Sequence, residues 1–220
     1  MIKNKASIIL PTCNRYDVCK RNVESILKQE YFANKEIIVC DDSDSAYYKA
    51  ENQEFYKWIK DQSIVKYFYT AMFDIDGNKD YGLARGRNRG IVESTGEFLV
   101  FLDDRITPNK PNVVQLFVNA LIKDKKKWVF GDKGAQKTSF VENFSAIRKS
   151  EIVDAGMFCE RINKYGGMTK ELHGRFSRQG FDFVYMPECT AEQLCKSSNW
   201  DKKEKEIPQM KELLNRMFSR

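Results

Sequence analysis

No apolar run in this chain approaches the roughly 20 residues that a membrane-spanning helix needs, which argues against an integral membrane protein. Met1-Ile2-Lys3-Asn4-Lys5 leads directly into a strand pattern, so no signal peptide is expected. Six cysteines (Cys13, Cys19, Cys40, Cys159, Cys189, Cys195) form neither C-x-x-C pairs nor a regular framework. Reduced thiols in a cytoplasmic protein are therefore expected rather than a disulfide scaffold. An excess of one charge is also missing: 37 Lys and Arg against 31 Asp and Glu leave +6, with both signs interspersed. That balance suits an anionic ligand or an acidic surface and does not call for nucleic acid. There is no internal repeat and no low-complexity segment, and a single histidine, His173, which reads as structural or at most a binding-site contact.

What is there is one core. At 220 residues and 42% hydrophobic content the chain can bury a single good interior. Ala6 to Leu10, Glu36 to Cys40 and Glu97 to Leu102 are short apolar runs of the kind that fill strands buried on both faces. A further strand is expected at 64–69. Helical spacing covers about 17–29, 46–60 and 83–94, and Gly77 marks a turn. Strand and helix alternate with short connections, which predicts βαβ units and a parallel sheet. Beyond Pro111 the pattern predicts a helix, a strand at 128–130, a short helix near 148–154, a Gly166-Gly167 turn, a helix near 170–179 and a strand at 181–186. Pro208 to Arg220 is amphipathic, and its apolar stripe is expected to pack on the same domain; resting on a membrane surface is the minority alternative.

Polar groups gather at three strand ends: Pro11-Thr12-Cys13-Asn14-Arg15, Asp41-Asp42-Ser43-Asp44 and Asp103-Asp104-Arg105. Parallel neighbours deliver their carboxyl ends to one edge, where open α/β sheets bind ligands. Two carboxylates after a buried strand cost too much desolvation to serve packing and need a cation, a ribose or another hydroxyl-rich partner. Between these segments lies Gly82-Leu83-Ala84-Arg85-Gly86-Arg87-Asn88-Arg89-Gly90. Its arginines suit diphosphate oxygens because their donors form a planar fork, though at least one is expected on an exposed helix face. Hydroxyl-binding carboxylates beside phosphate-binding arginines point to a nucleotide-sugar.

Ser7 to Arg15, Glu36 to Ser43, Gly82…Ala84…Arg87-Asn88-Arg89-Gly90 and Gly96 to Asp104 together resemble the family-2 glycosyltransferases of the GT-A fold, in order and spacing, across the first half of the chain. Val141 to Ala155, Glu171-Leu172, Arg175-Phe176, Gly180 and Pro187-Glu188 resemble that family's second half. The resemblance implies a three-layer α/β/α sandwich with a mainly parallel sheet. Residues 1–200 would form the domain (1–108 for the nucleotide-sugar, 109–200 for the acceptor), and 201–220 a helical tail. It implies that Pro11, Thr12, Arg15, Asp41 and Asp42 hold a uridine-type base, that Arg87 approaches the diphosphate, and that Asp103 approaches the ribose. Asp104 would approach a metal, Mg2+ or Mn2+. The implied reaction is inverting transfer of the sugar of a UDP-sugar to an acceptor hydroxyl, at the cytoplasmic face of a membrane if a membrane is involved.

The pattern departs from the family at three places. Arg105 stands where a third acidic residue is usual; it could itself supply charge to the leaving group. The acid pair ahead of the carboxyl-terminal helix falls on Met168-Thr169, leaving Glu171 as the nearest carboxylate for a general base. No histidine follows Pro187-Glu188. These departures motivate a rival: a nucleotide-sugar-binding or assembly protein that transfers nothing. A nucleotidyltransferase is disfavoured because no glycine-rich phosphate loop follows the first strand.

Overall fold

A computed structural model describes all residues except 1, 32–33, 74–75, 78–79, 135–138, 163–165, 196–199 and 219–220. Strands β1 (Ile2–Thr12), β2 (Lys35–Asp41), β3 (Val65–Tyr69) and β4 (Gly96–Leu102) alternate with helices α1 (Tyr16–Leu27), α2 (Ser45–Lys60) and α3 (Leu83–Glu93). β5 (Ile106–Pro108), α4 (Val113–Lys123), β6 (Lys127–Asp132), β7 (Phe144–Arg148), α5 (Lys149–Asp154), α6 (Met168–Arg178), β8 (Asp182–Gln193) and α7 (Trp200–Phe218) follow. The eight strands are ordered β3-β2-β1-β4-β7-β6-β8-β5.

The sheet is mixed, with a parallel half. β1 pairs parallel with β2 and β4, and β2 with β3. β6 pairs parallel with β8. β7 runs antiparallel to both β4 and β6, and β5 antiparallel to β8. Two antiparallel steps restore direction, so β6 runs the same way as β4. The carboxyl ends of β1, β2, β4 and β6 and the amino end of β7 therefore lie on one edge.

Period-2 alternation sorts the core into two sides. Ile8 and Leu10 of β1 join Cys19, Val23 and Ile26 of α1, Phe55 and Ile59 of α2 and Val114, Phe117 and Leu121 of α4. Ile9 faces the other way, toward Ala84 and Ile91 of α3, Ile152 of α5, Leu172 and Phe176 of α6 and Met210 and Leu214 of α7. The result is the three-layer α/β/α sandwich, and the tail helix packs on its own domain. Gly90 lets α3 lie tight on β1: a Cβ there would stand 2.5 Å from the Ile9 side chain.

The sequence pattern misses β5 and β7. β7 carries Ser145 and Arg148 among buried apolar residues, so it offers neither a pure apolar run nor alternation. Its polar groups are locally answered: Trp128 Nε1 donates to Ser145 Oγ at 2.9 Å, and Arg148 pairs with Glu97 at 2.6 Å. β8 runs to Gln193, past the expected end near 186, with an irregularity opposite Gly131 and Asp132. Gly77 has the left-handed backbone a turn favours, while 78–79 beside it lie outside the described residues.

Candidate active site

The turn after β4 is shaped from α1. Asn22 is fully buried on the apolar face of α1, and its Nδ2 donates to the carbonyls of Asp103 and Ile106, each at 3.0 Å. Thr107 Oγ1 donates back to Asn22 Oδ1 at 3.2 Å. This buried amide holds the chain so that Asp103 and Asp104 leave β4 in a fixed direction. The sequence reading overlooked Asn22; its one signal is a polar residue between Cys19 and Val23 on a core-facing helix stripe.

Asp104 is 1% exposed. Thr12 Oγ1 donates to its Oδ2 at 2.9 Å, and Arg15 donates to the same oxygen from Nε at 3.1 Å. Its Oδ1 lies 3.1 Å from Arg15 Nη2 as an ion pair but receives no hydrogen bond. Burial pushes the carboxyl up to about 6, with Arg15 opposing and Asp103 reinforcing. A buried carboxylate with an under-satisfied oxygen is a place where further positive charge is stabilising.

Asp103 is held from the other side. Arg87 Nη2 donates to its Oδ1 at 3.0 Å and Asn143 Nδ2 to its Oδ2 at 2.7 Å. Burial raises its pKa, but Arg87 and Asn143 outweigh burial and keep the carboxyl below the usual range. Arg87 is itself 1% exposed, and with its Nε buried without a hydrogen bond the compensation comes through its two Nη prongs. Its second prong, Nη1, donates to Glu142 Oε1 at 3.2 Å, and its plane lies over the Phe158 ring. Asn88 ties the same region across the domain, donating to the Phe158 carbonyl and accepting from its N–H, each at 2.9 Å. Arg89 is the arginine of the segment that faces solvent, paired with Glu93 at 2.8 Å.

The two acids after β2 diverge. Asp41 is fully buried and accepts from the hydroxyls of Tyr16 at 2.6 Å and Tyr67 at 2.5 Å and from the Ser43 N–H. Asp42 accepts from the Gly82 N–H at 3.1 Å and lies 3.6 Å from Arg85 Nη2. A Cβ on Gly82 would stand 2.2 Å from Asp42 Oδ1 and would push that carboxylate aside. Pro11 sits inside β1 opposite Cys40 and is buried. Arg105 is half-buried, and its charge acts on both Asp103 and Asp104.

Glu171 does not join this group. Arg175 clasps it with Nε at 2.6 Å and Nη2 at 3.0 Å, and the same guanidinium donates to the carbonyls of Ala155 and Met157. Two residues along a helix turn the chain through about 200°, so Glu171 and Thr169 point to opposite sides of α6. Thr169 is the one that reaches the cluster: its hydroxyl donates to Glu142 Oε2.

Two charged groups that the sequence did not single out enter from the second half. Glu142 precedes β7. Lys133 follows β6, donates to Asn143 Oδ1 at 2.7 Å, and has its pKa lowered by burial despite Asp103 and Glu142 nearby. Among the described residues, Arg15, Arg87, Arg105 and Lys133 thus face Asp103, Asp104 and Glu142, one cation in excess. Such a site is built for an anion. Beside it, Phe130, Phe140, Phe183, His173, Thr169 and Lys170 help line a groove of ≈ 600 Å³. His173 stacks on Phe183 at 4.5 Å between ring centres.

The profile of "Glycosyl transferase family 2" matches residues 7–184. The chain belongs to that family. Over 100 residues it is 36% identical to a GalNAc(5)-diNAcBac-PP-undecaprenol beta-1,3-glucosyltransferase of Campylobacter jejuni, a match covering 46% of this chain and 29% of that one. It is 27% identical over 146 residues to the Escherichia coli UDP-Glc:alpha-D-GlcNAc-diphosphoundecaprenol beta-1,3-glucosyltransferase WfgD, covering 65% of this chain and 51% of that one. The chain thus spans about half or less of these relatives. Among solved structures, GalNAc-T7 with UDP, GalNAc and Mn2+ superposes with a TM-score of 0.70 at 16% identity, over 89% of this chain and 45% of that one. The mannosyltransferase PcManGT from Pyrobaculum calidifontis, in complex with GDP-Man and Mn2+, gives 0.69 at 15% identity, over 90% and 58%. Both likenesses establish the GT-A type of fold.

Proposed function

We propose that this glycosyltransferase domain takes a UDP-sugar across the carboxyl ends of β1, β2 and β4 and passes the sugar, with inversion, to an acceptor hydroxyl. The observation that carries the proposal is the cation-rich cluster around Asp103 and Asp104. Its arginines suit the diphosphate, and its carboxylates suit ribose hydroxyls and a metal. Asp42, with Thr12 and Arg15 on the neighbouring strand end, would border the base. Asp41, behind them, would hold that wall in place through Tyr16 and Tyr67. The uridine assignment rests on the donors named for the E. coli relative and for the UDP-bound structure.

The residues present fit a divalent cation at one point. Asp104 Oδ1 is buried and receives no hydrogen bond. Among the described residues no group of three His, Cys, Asp or Glu surrounds it. Asp104 would therefore hold Mg2+ or Mn2+ alone among side chains, diphosphate oxygens and water completing the shell. When bound, the metal neutralises charge on the departing diphosphate. The chain's own part is to position the donor with Arg87 and Asp103 and to add cationic charge from Arg105 and Lys133.

The acceptors named for the two curated relatives are undecaprenol-diphosphate-linked saccharides. A lipid-linked saccharide at the inner face of a membrane is the acceptor we propose here. No helix among the described residues is long and apolar enough to cross a membrane, so contact would be peripheral. The test is UDP release from UDP-glucose with and without Mn2+. Metal-dependent release by the native protein, lost in Asp104→Ala, supports transfer. UDP-glucose bound without turnover under any condition would favour a nucleotide-sugar-binding protein instead.

A further inference from the structure

We infer that Glu142 is the general base of this domain, the carboxylate that takes the proton from the acceptor hydroxyl. The inference deepens the transferase reading above and rests on it. Attack on the sugar needs a carboxylate that borders both the donor and the space where an acceptor can lie. Asp103 and Asp104, held by Arg87 and Asn143 and by Thr12 and Arg15, are taken in that reading by the ribose and the metal. Glu171 is clasped by Arg175, which also fixes two main-chain carbonyls. Asp132 accepts from the Gly134 N–H at 3.0 Å and from the Tyr185 hydroxyl.

Glu142 alone among these joins both sides. One oxygen meets the Arg87 prong opposite the one that holds Asp103. The other meets Thr169, whose residue lines the 600 Å³ aromatic groove. Each carboxylate oxygen keeps a second lone pair beyond the hydrogen bond it accepts, so Oε2 can still receive a proton from the groove. Arg87 and Thr169 thus aim the carboxylate rather than exhaust it. In the step, the acceptor oxygen bonds the anomeric carbon as its proton passes to Glu142. The bond from that carbon to the diphosphate oxygen breaks, and UDP leaves with the electron pair.

Glu142→Gln keeps the shape and both neighbours but cannot accept the proton. UDP release from UDP-glucose with water as acceptor should fall about 100-fold or more, the usual worth of a positioned base. UDP affinity by calorimetry should stay within about twofold, because Arg87 still has a carbonyl oxygen to meet. Azide, an anionic nucleophile with no proton to lose, should release UDP at the same rate from the native and variant proteins. Thr169→Val, which leaves Glu142 in place but unaimed, should lower the water reaction by about tenfold and leave the azide reaction intact. Undiminished release to water by Glu142→Gln would overturn the inference. So would an equal loss with azide, or weakened UDP binding that accounts for the loss, since either makes Glu142 a support for Arg87. Azide-restored loss in Glu171→Gln would move the role to α6. If the native protein released no UDP with any nucleophile, the transferase reading itself would fall, and this one with it.

Discussion

The two halves of the site are built differently. On the β1–β2–β4 side the candidate groups sit at or just past strand ends, Thr12 ending β1 with Arg15 three residues on, Asp42 after β2, and Asp103 and Asp104 after β4, while Arg87 comes from α3. Parallel pairing fixes their height and side, so sequence spacing translates into place. On the β6–β7 side the groups arrive from a connection between antiparallel strands and from a helix 26 residues past Asn143, as Lys133, Glu142 and Thr169. Both halves nevertheless meet in one ion network, whose hinge is the buried guanidinium of Arg87 with Asp103 on one prong and Glu142 on the other. The strand-end side is joined to the β6–β7 side by Asn143, which bonds Asp103, and by Arg87.

Removing Arg87 should have the largest effect. Arg87→Met strips both carboxylates of their shared cation in the interior, at a cost of about 3–5 kcal/mol. Urea denaturation should show the loss; a change below 1 kcal/mol would mean that the halves are held together elsewhere.

Asp104 separates function from stability. Its carboxyl is raised from 3.8 to about 6 by burial, so the folded state binds the proton more tightly than the unfolded chain does. Folding is favoured by this group at low pH, and that advantage is lost as pH rises through about 6. Asp104→Asn should therefore be more stable than the native protein at pH 7.5, by about 2–3 kcal/mol, with the difference gone below pH 4. The same variant should lose metal-dependent UDP release. Equal stability at pH 7.5 would contradict the strained carboxylate.

The second half has its own packing constraint. A Cβ on Gly131 would stand 2.4 Å from the Cys189 carbonyl and from the Phe144 ring. Gly131→Ala should cost about 1–3 kcal/mol in thermal unfolding and lower UDP affinity no more than the loss of Lys133, two residues on, would. A larger loss of affinity would show that β6 holds the nucleotide through more than Lys133.

How much of this could be read beforehand follows the same division. The four strands of the first half, three of them apolar runs, the paired acids and the arginine segment were legible because each sits in a short βαβ period. Asp41 was read with Asp42 as a ligand pair, yet only contacts show Tyr16 and Tyr67 enclosing it. Glu171 was named as the carboxylate nearest the place of the family's acid pair, and its clasp by Arg175 one turn on is a common helix pairing that only the structure shows. Glu142 and Lys133 were illegible because their neighbours are distant: Arg87 lies 55 positions before Glu142. β7, whose arrival brings Glu142 and Asn143 to the cluster, shows no period of its own.

The smallest expected effect sharpens the reach of the second half into the first. Lys133→Met should weaken UDP binding about tenfold, one charge-assisted contact of about 1.5 kcal/mol, with stability unchanged because burial already works against the ammonium. Unaltered affinity would place Lys133 outside the anion site.

A crystal structure grown with UDP and Mn2+ tests the central claim most directly. The diphosphate should lie against Asp104, within hydrogen-bonding reach of at least two of Arg15, Arg105 and Lys133, with uracil toward Asp42. Nucleotide bound away from the carboxyl ends of β1, β2 and β4, or lying there with its diphosphate turned from those cations, would contradict the account.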